Sequence, residues 1–451
     1  MISMRLSDAC AAMEGQLNGA DRRFTGCSYD SRTLQAGELF IALRGPQRDG
    51  HDFIPDALAR GAGAALVDRD AGYPLPVIEV DNARKRAGLL AAHWRAGFDL
   101  PIIAVTGSNG KTTVKEMISA ILSVNAEVLS TRGNLNNDIG VPLTLFRLAP
   151  GYSYAVVEMG ANHPGEISWL SRITRPDVAL ITQCAPAHLE GFGSVAGVAE
   201  AKAEIYDGLA PGGAAIVNID DEYAGLWLER TRGNRQITFG TGPRADVRAD
   251  NIDLAPGAGQ TRFDLVYNGA GTAVELSLAG SHNVMNALAA AACCFAVDIP
   301  PAQVSAGLRR AQPVKGRMQL KTGPSGALIF DDTYNANPAS LDAALRVANE
   351  MPGQTWLVLG DMGELGATAA GLHEQAGAGA RELGIERLYG LGELAAHAVT
   401  GFGAGAAHFG ALDDLVGALR RDLRPGVVLL VKGSRSMAME RVVAALAGGS
   451  D

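Results

Sequence analysis

Residues 102–113 read Ile102-Ile103-Ala104-Val105-Thr106-Gly107-Ser108-Asn109-Gly110-Lys111-Thr112-Thr113. The first five are apolar or β-branched with no polar alternation, as in a strand covered on both faces of a parallel sheet. Beyond Thr113, the residues Val114, Met117, Ile118, Ile121 and Leu122 recur at i, i+3, i+4, i+7 and i+8, the apolar stripe of a helix. A glycine-rich turn between a buried strand and a helix predicts a phosphate loop. Gly107 and Gly110 let the backbone aim its N–H groups, with those of Ser108, Asn109 and Thr113, at phosphate oxygens, and the helix N-terminus adds positive potential. Lys111 is then placed to pair with the β/γ-phosphates of a nucleotide, and the Thr112 hydroxyl to sit on Mg²⁺. The turn is G-x-x-G-K-T, two residues shorter than the general G-x-x-x-x-G-K-[ST].

Outward from this loop, short β-branched runs alternate with helical patterns along the whole chain, which predicts an α/β protein with mainly parallel sheets. The 451 residues divide into three expected domains, at 1–99, 100–314 and 315–451. The first is small, with strands at 39–43, 64–67 and 77–80 and a helix from about 82 to 96. The central unit carries the loop strand and further strands at 154–159, 177–182, 214–219, 236–240, 263–267 and 273–278. The last of these alternate, so an antiparallel patch is expected to join the parallel sheet. Helices at 283–297 and 301–311 close the unit. The third unit, with strands at 327–331, 356–360, 387–390 and 427–432 and helices at 338–350, 369–383 and 411–423, reads as Rossmann-like. It lacks a G-x-G-x-x-G turn, so no dinucleotide site is expected there.

Lys and Arg number 39 against 48 Asp and Glu, a net charge of −9. That balance disfavours a nucleic-acid partner, whose affinity comes from Lys and Arg neutralising phosphates. Five sparse cysteines without a C-x-x-C pair read as reduced thiols. The N-terminus lacks an apolar signal core, and the longest apolar stretch, 287–297, is too short for a membrane span. A soluble cytoplasmic protein, monomeric and without a membrane span, is expected.

Three polar residues stand out after the loop. Glu158 ends a strand beside the loop strand, where a carboxylate can hold Mg²⁺. His188, in QCAPAHLEGFG, follows the strand at 177–182, and Lys202, in EAKAEI, lies on a helix. Taken singly they are a strand-end acid, a loop histidine and a solvated lysine. Together they follow consecutive strands, as residues around a switch-point crevice do. No N-K-x-D guanine-recognition tetrapeptide occurs in the chain. That leaves an ATP-using enzyme or an ATP-driven binding module.

These residues resemble those of the Mur ligases, ATP-dependent amide-forming enzymes of peptidoglycan precursor synthesis, along essentially the whole chain. The resemblance is carried by TGSNGKTT at 106–113, VEMGAN around Glu158, APAHLEGFGS around His188, AKAEIY around Lys202 and GSHNVMN at 280–286. In the third unit it is carried by Gly316-Arg317 and DDTYNANP at 331–338. YNANP, LGDMGELG at 359–366 and the C-terminal VKGSRSMAMERVV are similar to the branch that adds D-alanyl-D-alanine to UDP-N-acetylmuramoyl-tripeptide. The D-N-P-R string expected of the diaminopimelate-adding branch is absent. The N-terminal DSR, LFIAL and DGHDF strings are similar to the UDP-binding unit of both branches.

The resemblance implies a UDP-substrate domain, a central ATPase domain and a Rossmann-like domain that closes on the amine. It places Asn283 and Asn286 near adenine, Arg317 near the γ-phosphate and Asp332 near the ribose. It places Ser31, Arg32 and His51 on the UDP-substrate side, together with Asn134 and Asn137 of the string GNLNNDIG at 133–140. Lys111, Glu158, His188, Lys202 and Arg317 form the implied catalytic set. Two Mg²⁺ ions would be held by Thr112, Glu158, His188 and a CO₂-derived carbamate on Lys202. The implied chemistry converts the tripeptide carboxylate to an acyl phosphate, which the dipeptide amine then attacks. Two rivals stand beside this reading. One is another ligase of the superfamily with a different amine, diaminopimelate- or lysine-adding or folylpolyglutamate-like. The other is a non-catalytic nucleotide-binding module, against which the complete set of charged residues argues.

Overall fold

The structure is a computed structural model that describes residues 1–254 and 260–447. Its central sheet has nine strands and is built around Ile102–Thr106, every residue of which is buried. That strand pairs in parallel with Tyr154–Glu158 on one side and Val178–Ile181 on the other. Val128–Ser130 extends the first side, and Ala214–Asn218 and Arg235–Gly240 extend the second, all in parallel. The chain thus fills one edge from Ile102–Thr106 and then returns to fill the other. Such a reversal of strand order opens a crevice at the C-terminal strand ends, where ligands of open α/β sheets bind.

Beyond Arg235–Gly240 the sheet continues through Val247–Asp253 into the antiparallel strands Thr261–Tyr267 and Ala270–Leu276. These last two are the alternating patch legible in the sequence. Val247–Asp253 is not legible, because Arg248, Asp250, Asn251 and Asp253 interrupt the apolar pattern. Short strands such as Gln16–Asn18 and Cys27–Ser28 are hidden for a different reason: two or three residues carry no period.

The N-terminal unit holds a five-stranded sheet in the order Gln16–Asn18, Val77–Glu79, Ala64–Val67, Leu39–Ile41, Cys27–Ser28. Its helix Ala83–Arg95 starts at Asn82, whose side chain accepts from Lys85 N–H at 3.0 Å. This helix packs on the central helices Gly140–Phe146 and Glu166–Thr174. A Cβ on Gly88 would lie 2.7 Å from the Trp169 ring, so glycine permits that approach. One apolar cluster runs through Leu6, Phe24, Leu66 and Leu90 into Ala104, Leu129 and Ile181. The first hundred residues therefore share a core with the central sheet.

The third unit has its own six-stranded sheet, in the order Gln319–Thr322, Leu328–Asp332, Val427–Lys432, Gln354–Gly360, Arg387–Leu391, Ala406–Phe409. Only the first pair is antiparallel. Separate apolar clusters cover its two faces, around Trp356, Val358 and Leu429 and around Leu341, Leu357 and Leu430. Among the described residues no helix is long and apolar enough to cross a membrane.

The loop after Gln354–Gly360 is pinned by His373, which is fully buried. Its Nδ1 donates to Ala369 O at 2.7 Å, and its Nε2 accepts from Met362 N–H at 2.9 Å. Accepting at Nε2 requires the neutral ring, and burial holds the pKa below that of an ordinary histidine. The unfolded chain therefore takes up this proton at a higher pH than the folded one. The contribution to stability is complete above the unfolded pKa, about 6.5, and is lost as pH falls below it. Tm measured from pH 7.5 to 5 should fall less steeply in His373→Gln than in the wild type; parallel slopes would count against this assignment.

Candidate active site

Gly107 carries φ +145° and Gly110 φ +81°, backbone that other residues rarely adopt. A Cβ at Gly107 would meet Thr182 Oγ1 at 1.9 Å, and one at Gly110 would meet Asn286 Oδ1 at 2.5 Å. The loop is drawn onto the neighbouring strand end: Ser108 N–H donates to Gln183 O at 2.9 Å and Ser108 Oγ donates to Ala185 O at 2.9 Å. Helix Lys111–Leu122 then begins at Gly110 with no side-chain cap, leaving its first N–H groups for a ligand.

A cavity of about 1400 Å³ opens over this loop. Of the expected catalytic residues, Lys111, Glu158, His188, Lys202 and Arg317 all line it. So do Ser108, Asn109, Gly110, Thr113, Asn283, Asn286, Asp332, Asn134 and Asn137. Gly107 and Thr112 lie behind its surface, as turn and buried helix residue.

Lys111 Nζ donates to Gly107 O at 2.7 Å and faces Ser108 O at 3.4 Å. Burial lowers its pKa; Glu158 opposes that shift, and Arg317 adds to it. Glu158 is 1% exposed, with Oε1 accepting from Asn136 Nδ2 at 2.8 Å. Its Oε2 is buried without a hydrogen-bond partner. An orphaned carboxylate oxygen is costly and is a hard-cation ligand in waiting. Thr112 Oγ1 accepts from Arg317 Nη2 at 3.0 Å.

Lys202, in helix Val195–Ala203, is 1% exposed, not the solvated lysine that a helix position suggests. Its Nζ lies over the Phe192 ring, 5.5 Å from the centroid. Burial first, and Lys111 second, push its pKa down to about 7.

His188 has a left-handed backbone, φ +51°, and its Nδ1 lies 2.5 Å from Glu364 Oε2. Glu364, at φ +63°, is left-handed too, and its pKa is lowered by His188. Both residues line the cavity, and holding two non-glycine residues in this region has a cost that the surrounding structure offsets. Among the described residues no group of three His, Cys, Asp or Glu side chains is arranged to hold a metal. The donors Glu158 and Thr112 instead fit a Mg²⁺ that keeps water and phosphate oxygens as ligands.

The third unit closes the cavity. Arg317 stacks on Tyr334, 4.3 Å from the ring centroid, and its Nε is buried without a partner. Asp332 receives Lys432 Nζ and, at 3.1 Å, Met318 N–H. On the central side Asn283 Nδ2 donates to Ala279 O at 2.7 Å, and Asn286 Nδ2 to Asn283 Oδ1 at 3.1 Å.

The structure does not bring Ser31, Arg32 or His51 to the cavity wall. Ser31 is buried, and Arg32 pairs with Asp30 at 2.7 Å on the surface. His51 is 3% exposed, with Nδ1 2.6 Å from Asp49 Oδ1 and Nε2 accepting from Asp68 N–H at 3.3 Å. Both ring nitrogens are thus used inside the N-terminal unit.

Asn136 lines the cavity with Asn134 and Asn137 of its string, and residue-by-residue reading missed Asn337, Glu364 and Lys432, which line it too. Each of the three lies within a string that carries the resemblance, YNANP, LGDMGELG or VKGSRSMAMERVV, but nothing in a string says which member turns inward.

Sheet, loop and converging charges define a three-domain α/β protein built on a phosphate loop. Comparison with known proteins adds the family. The Mur ligase middle domain matches residues 105–294, the Mur ligase glutamate ligase domain 316–435, and the Mur ligase family catalytic domain 23–95. The UDP-N-acetylmuramoyl-tripeptide–D-alanyl-D-alanine ligase of Escherichia coli K12 is 44% identical over 451 residues, 99% of each chain. The crystal structure of MurF from Acinetobacter baumannii superposes with a TM-score of 0.94 at 36% identity, covering all of both chains. That of MurF ligase from Thermotoga maritima in complex with ADP gives 0.81 at 26% identity, covering 93% of this chain and 96% of that one. The chain belongs to the Mur ligase family.

Proposed function

We infer that this chain is an ATP-dependent ligase that joins D-alanyl-D-alanine to UDP-N-acetylmuramoyl-tripeptide. The observation that carries the reading is one cavity with Lys111, Glu158 and Lys202 on its central wall and Arg317 on the wall of the third unit. That is the layout a carboxylate-activating reaction needs. A carboxylate is a poor acyl donor, so its oxygen first attacks the γ-phosphorus of ATP, forming an acyl phosphate and releasing ADP. The dipeptide amine then attacks the acyl carbon, the C–O bond to phosphate breaks, and the amine loses a proton.

Bringing a carboxylate to the triphosphate sets like charges together. Lys111 and Arg317 offset that repulsion and stabilise charge on the transferred group. Mg²⁺, held by Glu158 and Thr112 with phosphate oxygens, would neutralise further negative charge and orient the phosphates. Asn283 and Asn286 supply amide edges for adenine, and Asp332 a carboxylate for the ribose. Asn134 and Asn137 face the tripeptide, with Ser31, Arg32 and His51 organising the UDP-binding unit behind them. His188 and Glu364 join the central and third units at the amine side. Acyl phosphate is prone to hydrolysis, which gives a reason for the third unit to cover the site. Lys202 enters as its carbamate. We place the reaction in the cytoplasm, where ATP is available and the free thiols stay reduced.

Phosphate release measured with a panel of amines tests the assignment. Release should require both UDP-muramoyl-tripeptide and D-alanyl-D-alanine. Equal rates with single amino acids would assign the chain to a different branch of the family, and no release with any amine would leave a binding module.

A further inference from the structure

The tip of the phosphate loop is held by the third unit through an amide pair. Asn337 Nδ2 donates to Asn109 Oδ1 at 2.9 Å, and Asn109 Nδ2 lies 3.5 Å from Asn337 Oδ1. The two residues are 228 positions apart, one on each wall of the cavity.

Both partners are fixed from behind. Asn337 is the N-cap of helix Pro338–Asn349: its Oδ1 accepts from Ser340 N–H at 2.8 Å, and its own N–H donates to Ser340 Oγ at 3.1 Å. Because Oδ1 is committed to the cap, the amide cannot flip, and its NH₂ is the group that must face Asn109. Asn109 is anchored through its carbonyl, which accepts from Thr182 Oγ1 at 2.6 Å. Asn337 is 8% exposed, so little water competes for the pair. The capping box explains the cap oxygen but not the outward NH₂; helix formation needs only the acceptor.

We propose that the Asn109–Asn337 pair is a positioning latch that couples the phosphate loop to the seating of the third unit, and so sets the affinity for the amine substrate. The inference rests on the ligase reading above. If seating of the third unit completes the amine site, the apparent affinity for the amine scales with the seated fraction. Breaking the latch lowers that fraction while Lys111, Glu158 and Arg317 remain. The effect therefore falls on KM for the amine more than on kcat. The two residues act through one contact, so removing either should have the effect of removing both.

The test is a double-mutant cycle with Asn337→Ser and Asn109→Ser. Serine keeps the cap, accepting from Ser340 N–H, but has no amide to reach across. Asn109 caps nothing, so its variant decides between the outcomes should Asn337→Ser melt early. KM for D-alanyl-D-alanine at saturating ATP and UDP-muramoyl-tripeptide should rise about tenfold in each single variant, within the usual range of coupling between sites. The double variant should be no worse than the weaker single one. KM within twofold of wild type in both singles, or single effects that multiply in the double, would overturn the latch. Failure of the ligase reading is seen separately, in a wild type that does not use the dipeptide; the cycle is then run on the amine that it does accept.

Discussion

Replacing Lys111 by alanine is expected to lower kcat by roughly 10²–10³-fold, the loss typical of removing one preorganised charge from a transition state. The ammonium stands between the loop carbonyls of Gly107 and Ser108, and burial holds its pKa down. A cation whose pKa is lowered by folding costs the folded state stability at every pH where it stays charged. Lys111→Ala should therefore leave Tm unchanged or higher while turnover collapses, the separation expected of a group kept for chemistry and not for folding. Steady-state phosphate release and a thermal melt on the same preparation check both halves. Near-normal turnover would remove the loop from the reaction. A sharp drop in Tm would show that Lys111 is chiefly a support for the turn.

How far such a site can be read from sequence depends on whether the responsible signal is local. Strand, turn and helix around Lys111 are local, and the structure places all three at the residues where period and glycine spacing put them. Glu158 was legible as a strand end, but its orphaned oxygen was not, because the partner of the other oxygen, Asn136, sits 22 residues away. Lys202 illustrates the harder case. Its helix has almost no apolar period, with Ala and Gly on most faces, so nothing in EAKAEI separates a buried lysine from a solvated one. Asn337 and Glu364 act across the gap between units, which no period inside either unit encodes. His51 shows the same limit from the other side. The resemblance places it on the UDP-substrate side, and the sequence does not show that Asp49, two residues before it, and Asp68 take both ring nitrogens. The shared core across residue 100 is also invisible, since the helix Ala83–Arg95 shows the same stripe whether it packs on its own sheet or on Trp169.

Lys202→Ala is expected to lose turnover on the scale of Lys111→Ala, and to regain part of it when acetate or another short carboxylate is added. The side chain is 1% exposed beside a second cation, Lys111, and its pKa is pushed down to about 7. Cys184, Glu166 and Glu204 favour the charged form, but burial outweighs them. Near neutral pH a large share of the amine is therefore free to react. On the carbamate reading the neutral nitrogen would add to CO₂, forming an N–C bond and releasing one proton, so that a carbamate anion would replace the ammonium. That exchange would turn a lysine that repels Mg²⁺ into an oxygen donor of the kind Mg²⁺ prefers, in the cavity that Glu158 also lines. The alanine variant leaves room for a small carboxylate to stand where the carbamate would stand. Rescue by acetate and not by methylamine supports the modified residue. Rescue by the amine alone would show that Lys202 works as a plain cation, holding the tripeptide carboxylate or the γ-phosphate with its own charge.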